Sequence, residues 1–117
     1  MEQKKAQQKL KEIISEVEKN NAISPSLVEN LMVLRTYAVE AKQPVIAKAL
    51  RLASEHIEEN ESFIIPIPTD EPLEGEEDDV QMITGAESFI YFMNLIKNSK
   101  NKINLEEIRE YNRLMDL

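Results

Sequence analysis

The sequence predicts an all-α fold of about five helices in one compact domain, residues 1–117, and three observations support this prediction. Apolar residues recur at helical spacing in five separate stretches of the chain. Asparagine or proline stands between several of these stretches, where helices commonly end or begin. The stretch 24–60 predicts two helices joined by a very short turn, an antiparallel αα-hairpin on which the bundle is built.

The first stretch, residues 2–19, predicts a helix that lies on the surface and covers one side of the core. Its apolar stripe is narrow, and the lysines and glutamates at the other positions are typical of a solvated face. Asn20 and Asn21 can end this helix, because asparagine tolerates the left-handed backbone found after helices. The stripe consists of Ala6, Leu10, Ile13, Ile14 and Val17.

The first helix of the hairpin begins with Ser24, a good N-cap, and Pro25, whose missing N–H is harmless at the first helical position. Leu31 and Leu34 lie on its main apolar stripe, so we expect both to be buried. Other apolar residues extend around most of the circumference, which predicts that this is the central helix. Pro44 forces the break and starts a second, amphipathic helix.

The stretch after the hairpin predicts an extended segment and a long acidic crossover loop, about residues 66–81. Its prolines exclude a helix in the apolar segment 62–68, which could pair with 80–84 as a short two-stranded ribbon. Seven of the ten residues from 70 to 79 are acidic and cannot be buried together. We take these carboxylates as candidate partner-binding residues: Asp70, Glu71, Glu74, Glu76, Glu77, Asp78 and Asp79.

Two further helices are predicted, one over 84–98 and one that begins at Asn104. Thr84 followed by Glu87 has the form of a capping box, and Asn104 with Glu107 repeats the arrangement. The spacing of the apolar residues in both stretches also favours helices.

The helix over 84–98 has two apolar faces. Tyr91 and Leu95 lie roughly opposite the stripe that suits the core, so they need a second cover. Either the segment 62–68 or a twofold partner supplies this cover, and the pattern slightly favours a homodimer. The stripe that suits the core consists of Phe89, Phe92, Met93 and Ile96.

Composition and charge limit the function classes. The net charge is −8 and is unevenly placed, since residues 52–96 contain twelve acidic residues and no Lys or Arg. This argues against nucleic acid or an anionic membrane as a partner, because those partners need clustered cations. The chain has no cysteine, no apolar run of transmembrane length and no signal-peptide pattern at its start, so we expect a cytoplasmic location.

No pattern in the sequence predicts a catalytic centre, a metal site or a cofactor. His56 is the only histidine and lacks an obvious nucleophile or acidic partner, so we expect a partly buried structural role. A calcium-loop alignment from Asp70 places Gly75 correctly but puts proline and glutamine at ligand positions. Gly75 and Gly85 are the only glycines, so no Gly-rich phosphate loop exists.

The sequence therefore favours a non-enzymatic module for protein–protein interaction, or an adaptor, with an unidentified protein partner. Its acidic loop would dock on a basic surface of that partner, where complementary charge speeds encounter. Two alternatives stay open. One is an acidic inhibitor or nucleic-acid mimic that occupies a basic partner, and the other is a small metal-dependent enzyme or enzyme subunit that uses the acidic segment.

Overall fold

The computed structural model describes residues 2–68 and 84–116, whose regular structure consists of five α-helices. The predicted all-α fold of about five helices is confirmed for this part of the chain. The helices are α1 (Lys4–Asn20), α2 (Leu27–Glu40), α3 (Pro44–Asn60), α4 (Ala86–Lys97) and α5 (Lys102–Met115).

The main contacts between the described helices close a ring. α1 contacts α2, α2 contacts α3, α3 contacts α5, α5 contacts α4, and α4 contacts α1. Residues 41–43 alone join α2 to α3, and this pair has the most extensive contact in the ring. Buried side chains from all five helices form one shared core. Each helix therefore has two principal neighbours, and none occupies the centre.

α1 agrees closely with its prediction, because all five residues of its apolar stripe are buried. Asn21 ends the helix with a left-handed backbone, at a φ of 48°. At the other end, Gln3 Nε2 donates to the carbonyl of Tyr37 at 2.8 Å, and Gln7 Nε2 donates to the carbonyl of Lys97 at 3.1 Å. The last carbonyls of a helix lack partners in the next turn. Gln3, the N-cap of α1, and Gln7 within α1 therefore link the start of α1 to the C-terminal ends of α2 and α4.

α2 is not the central helix that the sequence predicts. Leu31 and Leu34 are fully buried as expected, but Met32 and Val39 leave 40% and 54% of their surface exposed. The principal neighbours of α2 in the described ranges are α1 and α3, so these residues lie on a side that neither helix covers. The broad apolar circumference therefore reflects one face in the core and a second face in solvent.

The helix starts are displaced by a few residues from their predicted positions. α2 begins three residues after Ser24, whose hydroxyl accepts a long hydrogen bond from the backbone in the preceding turn. The N-cap of α4 is Gly85, not Thr84. The N-cap of α5 is Asn101, not Asn104, and its Oδ1 accepts from two backbone N–H groups at 2.8 and 3.3 Å. Backbone conformation, which the residue types leave open, decides these positions.

The connection that leaves α3 packs into the core through its side chains. Phe63 is fully buried and Ile65 nearly so. The segment 62–68 forms no strand, so the ribbon that it could make with 80–84 is not found in the described residues, and 80–83 lie outside them. The two prolines of the segment have no N–H to offer a strand partner, and burial of alternate side chains orders the segment instead.

Phe63 lies among the aromatic residues of α4 and α5. Its ring centroid is 5.4 Å from that of Phe89, 5.7 Å from that of Phe92 and 6.2 Å from that of Tyr111. The first pair meets edge to face, which is a favoured geometry for aromatic rings. Phe63, a single side chain of the connection, therefore contacts both α4 and α5.

A buried hydrogen-bond network holds the same three elements together. Ser88 Oγ donates to the carbonyl of Ile65 at 2.7 Å and lies 2.9 Å from the hydroxyl of Tyr111. Burial raises the pKa of Tyr111 above its ordinary range, so this hydroxyl stays protonated as a donor. The network satisfies polar atoms that would be costly to bury alone.

Leu34→Ala should lower the free energy of unfolding by about 2–5 kcal/mol, because it removes a fully buried side chain and leaves a cavity. Met32→Ala, on the exposed side of the same helix, is the matched control and should cost about 1 kcal/mol or less. Urea melts of both variants measure the difference. Equal losses would contradict the orientation of α2.

Gly85→Ala should lower the free energy of unfolding by about 1–3 kcal/mol, because a φ of 75° with a ψ of −145° is essentially restricted to glycine. Space does not set this cost, since a Cβ at Gly85 would meet no atom of the described residues within 4 Å. Thr84→Ala serves as the control and should change stability by about 0.5 kcal/mol or less. A large loss for Thr84→Ala would restore the predicted capping box.

Candidate functional site

The seven acidic residues that the sequence singles out lie outside the described residues. They are Asp70, Glu71, Glu74, Glu76, Glu77, Asp78 and Asp79, all within 69–83. Their docking on a basic partner therefore stays a prediction, and the described surface has to be searched for a site of its own.

The second predicted surface, Tyr91 with Leu95, finds its cover within the chain. Leu95 is 5% exposed and belongs to the shared core, where α4 lies between α1 and α5. Tyr91 is half-buried, and its hydroxyl donates to the carboxylate of Glu107 on α5. A homodimer was expected because Tyr91 and Leu95 needed a covering surface. The neighbouring helices α1 and α5 supply that surface within the chain.

His56 lies at the base of the connection that leaves α3. Its Nε2 accepts a hydrogen bond of 3.0 Å from the backbone N–H of Ile64, and its ring meets the edge of Phe63 at 5.7 Å. Asn60 Nδ2 lies 3.3 Å from the other ring nitrogen. This arrangement positions the start of the connection and fits the expected structural role.

The described ranges offer neither a metal centre nor a membrane helix. Residues 2–68 and 84–116 contain no group of three or more His, Asp or Glu side chains placed to hold a metal ion. None of the five helices is long and apolar enough to cross a membrane. What the described surface does offer is a groove lined by cations.

The first part of this groove is an open cleft of about 450 Å³ between α2 and α3. Val39, Pro44 and Ala47 form its apolar lining, and four cations surround them. The lining cations are Arg35, Lys42, Lys48 and Arg51. Such a cleft combines apolar contact area with a positive potential.

The second part is a cleft of about 610 Å³ between α3 and α5, which shares Pro44 and Lys48 with the first. Because the two clefts share these residues, we treat them as one surface and call it the basic groove. Its lining contains six Lys or Arg residues and one carboxylate, Asp116. The second cleft is lined by Pro44, Val45, Lys48, Arg109, Asn112, Arg113 and Asp116.

Exposed ion pairs neutralise the groove only in part. Arg51 pairs with Glu55 at 3.2 Å, and Lys48 pairs with Asp116 at 3.4 Å, both exposed. The two arginines of α5 pair with glutamates of the same helix, three residues earlier. Exposed pairs contribute about 0–1 kcal/mol each, so a bound anion can compete for these cations.

Two cations of the first cleft, Arg35 and Lys42, form no ion pair within the described ranges. Arg35 Nε is also buried without a hydrogen-bond partner there, and so is Asn112 Oδ1 in the second cleft. A buried polar atom without a partner is costly. Both residues line the groove, but these two atoms are themselves enclosed and do not lie on its surface.

An apolar stripe on α2 adjoins the groove. Val28, Met32 and Val39 share one side of the helix, at spacings of four and seven residues, and Val39 also lines the first cleft. Val33 beside them is exposed as well. We call Val28, Met32, Val33 and Val39 the α2 stripe. The sequence analysis did not predict that part of this stripe would be exposed.

The sequence contained a signal for the α2 stripe but not for the basic groove. The second apolar line on α2 was visible, yet periodicity does not reveal whether a neighbouring helix covers it. The groove's cations come from positions 35 to 113 and meet only after α3 has packed against both α2 and α5.

Comparisons with protein-family models, curated proteins and solved structures found no match to this chain. Its function is therefore inferred from the chemistry of its own surface.

Acidification should destabilise the protein through His56. Burial lowers the pKa of His56 below its ordinary value of 6.5, while the charge of Glu59 acts in the opposite direction. The folded state then binds fewer protons than the unfolded state, so this contribution to stability is present above 6.5 and is lost as pH falls through the lowered pKa. Protonation of Nε2 would also remove the acceptor for the Ile64 N–H.

Urea melts at about pH 7.5 and about pH 5.5 measure this effect. The midpoint should fall more for the native chain than for His56→Gln, whose side chain does not titrate. An equal fall in both proteins would show that the ionisation of His56 does not contribute.

Proposed function

We propose that this chain is a protein-interaction module whose partner docks along the α2 stripe and into the adjoining basic groove. The observation that supports this most directly is the exposed side of α2. Of the five large apolar residues exposed in the described ranges, three lie on this helix: Met32, Val33 and Val39. Contiguous apolar surface next to polar residues is typical of protein-binding sites.

The surroundings of the α2 stripe favour a protein as the occupant. An apolar strip beside charged residues has the usual anatomy of a protein interface, in which an apolar centre is bordered by a polar rim. Arginine is enriched in interfaces of this kind, and Arg35 of α2 lines the first cleft of the groove. A protein partner would cover the stripe with its own apolar side chains and pair its acidic groups with the groove.

The contacts of His56 support a function without catalysis. Its Nε2 already accepts the backbone N–H of Ile64, and its ring packs on Phe63. A general base needs a free nitrogen within reach of a substrate proton. The histidine that an enzyme would use first is thus committed to positioning the connection after α3.

The double variant Met32→Glu with Val39→Glu should abolish capture of the partner from a native lysate. Each change places a charge in the apolar centre of the interface, at a position exposed enough that the fold should tolerate it. Quantitative mass spectrometry of the captured proteins is the measurement, and thermal melts check folding.

The matched control is Ile64→Glu with Ile103→Glu, which adds the same two charges at apolar residues away from α2 that are 55% and 72% exposed. It should leave capture unchanged. If both proteins capture the same set, the α2 stripe is not the docking surface. Light scattering adds a second measurement. If the native chain and the control are dimers and the double variant is a monomer, the occupant is a second copy of this chain.

A further inference from the structure

We infer, resting on the proposed function, that the segment bound in the basic groove is an acidic peptide with apolar side chains between its carboxylates. Six cations and one carboxylate line the groove, whereas the chain as a whole has a net charge of −8. The overall charge of the chain does not account for this cluster of cations, so we look for a cause at the groove itself. Complementary charge in a partner supplies one and also directs its encounter.

The net negative charge of the chain comes almost entirely from residues 69–83 and not from the residues that form the groove. Outside residues 69–83, the sequence contains 14 Lys or Arg and 15 Asp or Glu, so the described body is almost neutral. Four of the six groove cations pair with carboxylates, so the excess positive charge comes mainly from Arg35 and Lys42. Unpaired cations beside apolar walls attract counter-charged ligands.

Lys42 is a groove cation that lies in the turn between α2 and α3. It has a left-handed backbone with a φ of 57°, as Asn21 and Glu61 have after α1 and α3. The turn is closed by a bond of 3.0 Å from the N–H of Gln43 to the carbonyl of Ala38. This turn leaves the Lys42 side chain exposed beside the first cleft, where it forms no ion pair within the described ranges.

The lining favours a peptide over a nucleic acid. Val39, Val45 and Ala47 give the groove apolar walls that suit aliphatic side chains. A peptide can use these apolar walls and the cations together, whereas the phosphate backbone of a nucleic acid would use the cations alone.

Fluorescence anisotropy tests this inference with the full chain. The probe is a labelled peptide of alternating glutamate and leucine pairs, and its comparison partner is the same peptide with glutamine in place of glutamate. The acidic peptide should bind and the amide peptide should not. Affinity should fall as salt rises from about 0.05 to about 0.5 M, because screening shortens the range of the groove's potential.

The double variant Lys42→Gly with Lys48→Gln removes two exposed groove cations and should weaken binding about tenfold or more. Glycine suits the left-handed turn and Lys48→Gln removes only an exposed ion pair, so the variant should fold, and thermal melts check this. Lys5→Gln with Lys11→Gln on α1 makes the same change in net charge at exposed positions away from the groove. This control should bind as the native chain does.

Measurements on a chain with amides in place of the seven carboxylates of 70–79 test for self-competition. Binding by this chain but not by the native one supports the inference and identifies the chain's own acidic segment as a competitor. Failure of both chains to bind overturns it, as does an equal loss in the groove and control variants. Tighter binding of a single-stranded oligonucleotide that needs Lys42 and Lys48 also overturns it.

The proposed function and the acidic-peptide inference can fail independently of each other. If Met32→Glu with Val39→Glu abolishes capture while the acidic peptide fails to bind, the module stands and only the chemistry of its partner is wrong. If the peptide binds but capture is unchanged, the groove is a binding site that the α2 stripe does not serve.

Discussion

The structure depends most on the burial of Phe63, a residue of the connection between α3 and α4. Its ring reaches the aromatic side chains of α4 and α5 at centroid distances of 5.4 to 6.2 Å, and His56 of α3 meets it from the other side. Its carbonyl accepts the N–H of Gly85 at 2.7 Å, which brings the start of α4 against the end of α3. Aromatic pairs of this kind add about 0.5–1.5 kcal/mol each beyond area burial. One residue thus links α3, α4 and α5 through buried aromatic contacts.

The helices could be predicted from the sequence where the apolar residues follow a single helical spacing. α1 has a single narrow stripe, and each of its five residues is buried as predicted. The helix starts were less predictable, because several residues near each start have capping side chains and only the backbone selects among them. Asn101 and Asn104 are both suitable, and the extended backbone at Asn101 decides between them, with φ −77° and ψ 127°. The turn at Gly85 is a case in which conformation rather than side chain defines the start.

The candidate surface was harder to predict, because exposure depends on which helices become neighbours. Two helices have two apolar faces in the sequence, and the structure treats them oppositely. Leu95 of α4 is buried between α1 and α5, whereas Val39 of α2 stays 54% exposed in the open cleft between α2 and α3. Periodicity identifies the faces of a helix but not its neighbours. An exposed apolar face that survives folding is therefore stronger support for a docking surface than an apolar face in the sequence.

The placement of charge leads to the same conclusion by a different route. Counting charges along the chain isolates the acidic segment and hides the basic groove, whose cations are dispersed over three helices. The described residues have a nearly neutral total charge, and folding brings these dispersed cations together in the basic groove. Lys42 is exposed and forms no ion pair within the described ranges, so its charge is available to a bound carboxylate. The exposed apolar residues of α2 and this cation therefore support the same kind of occupant, a protein segment with both apolar and acidic side chains.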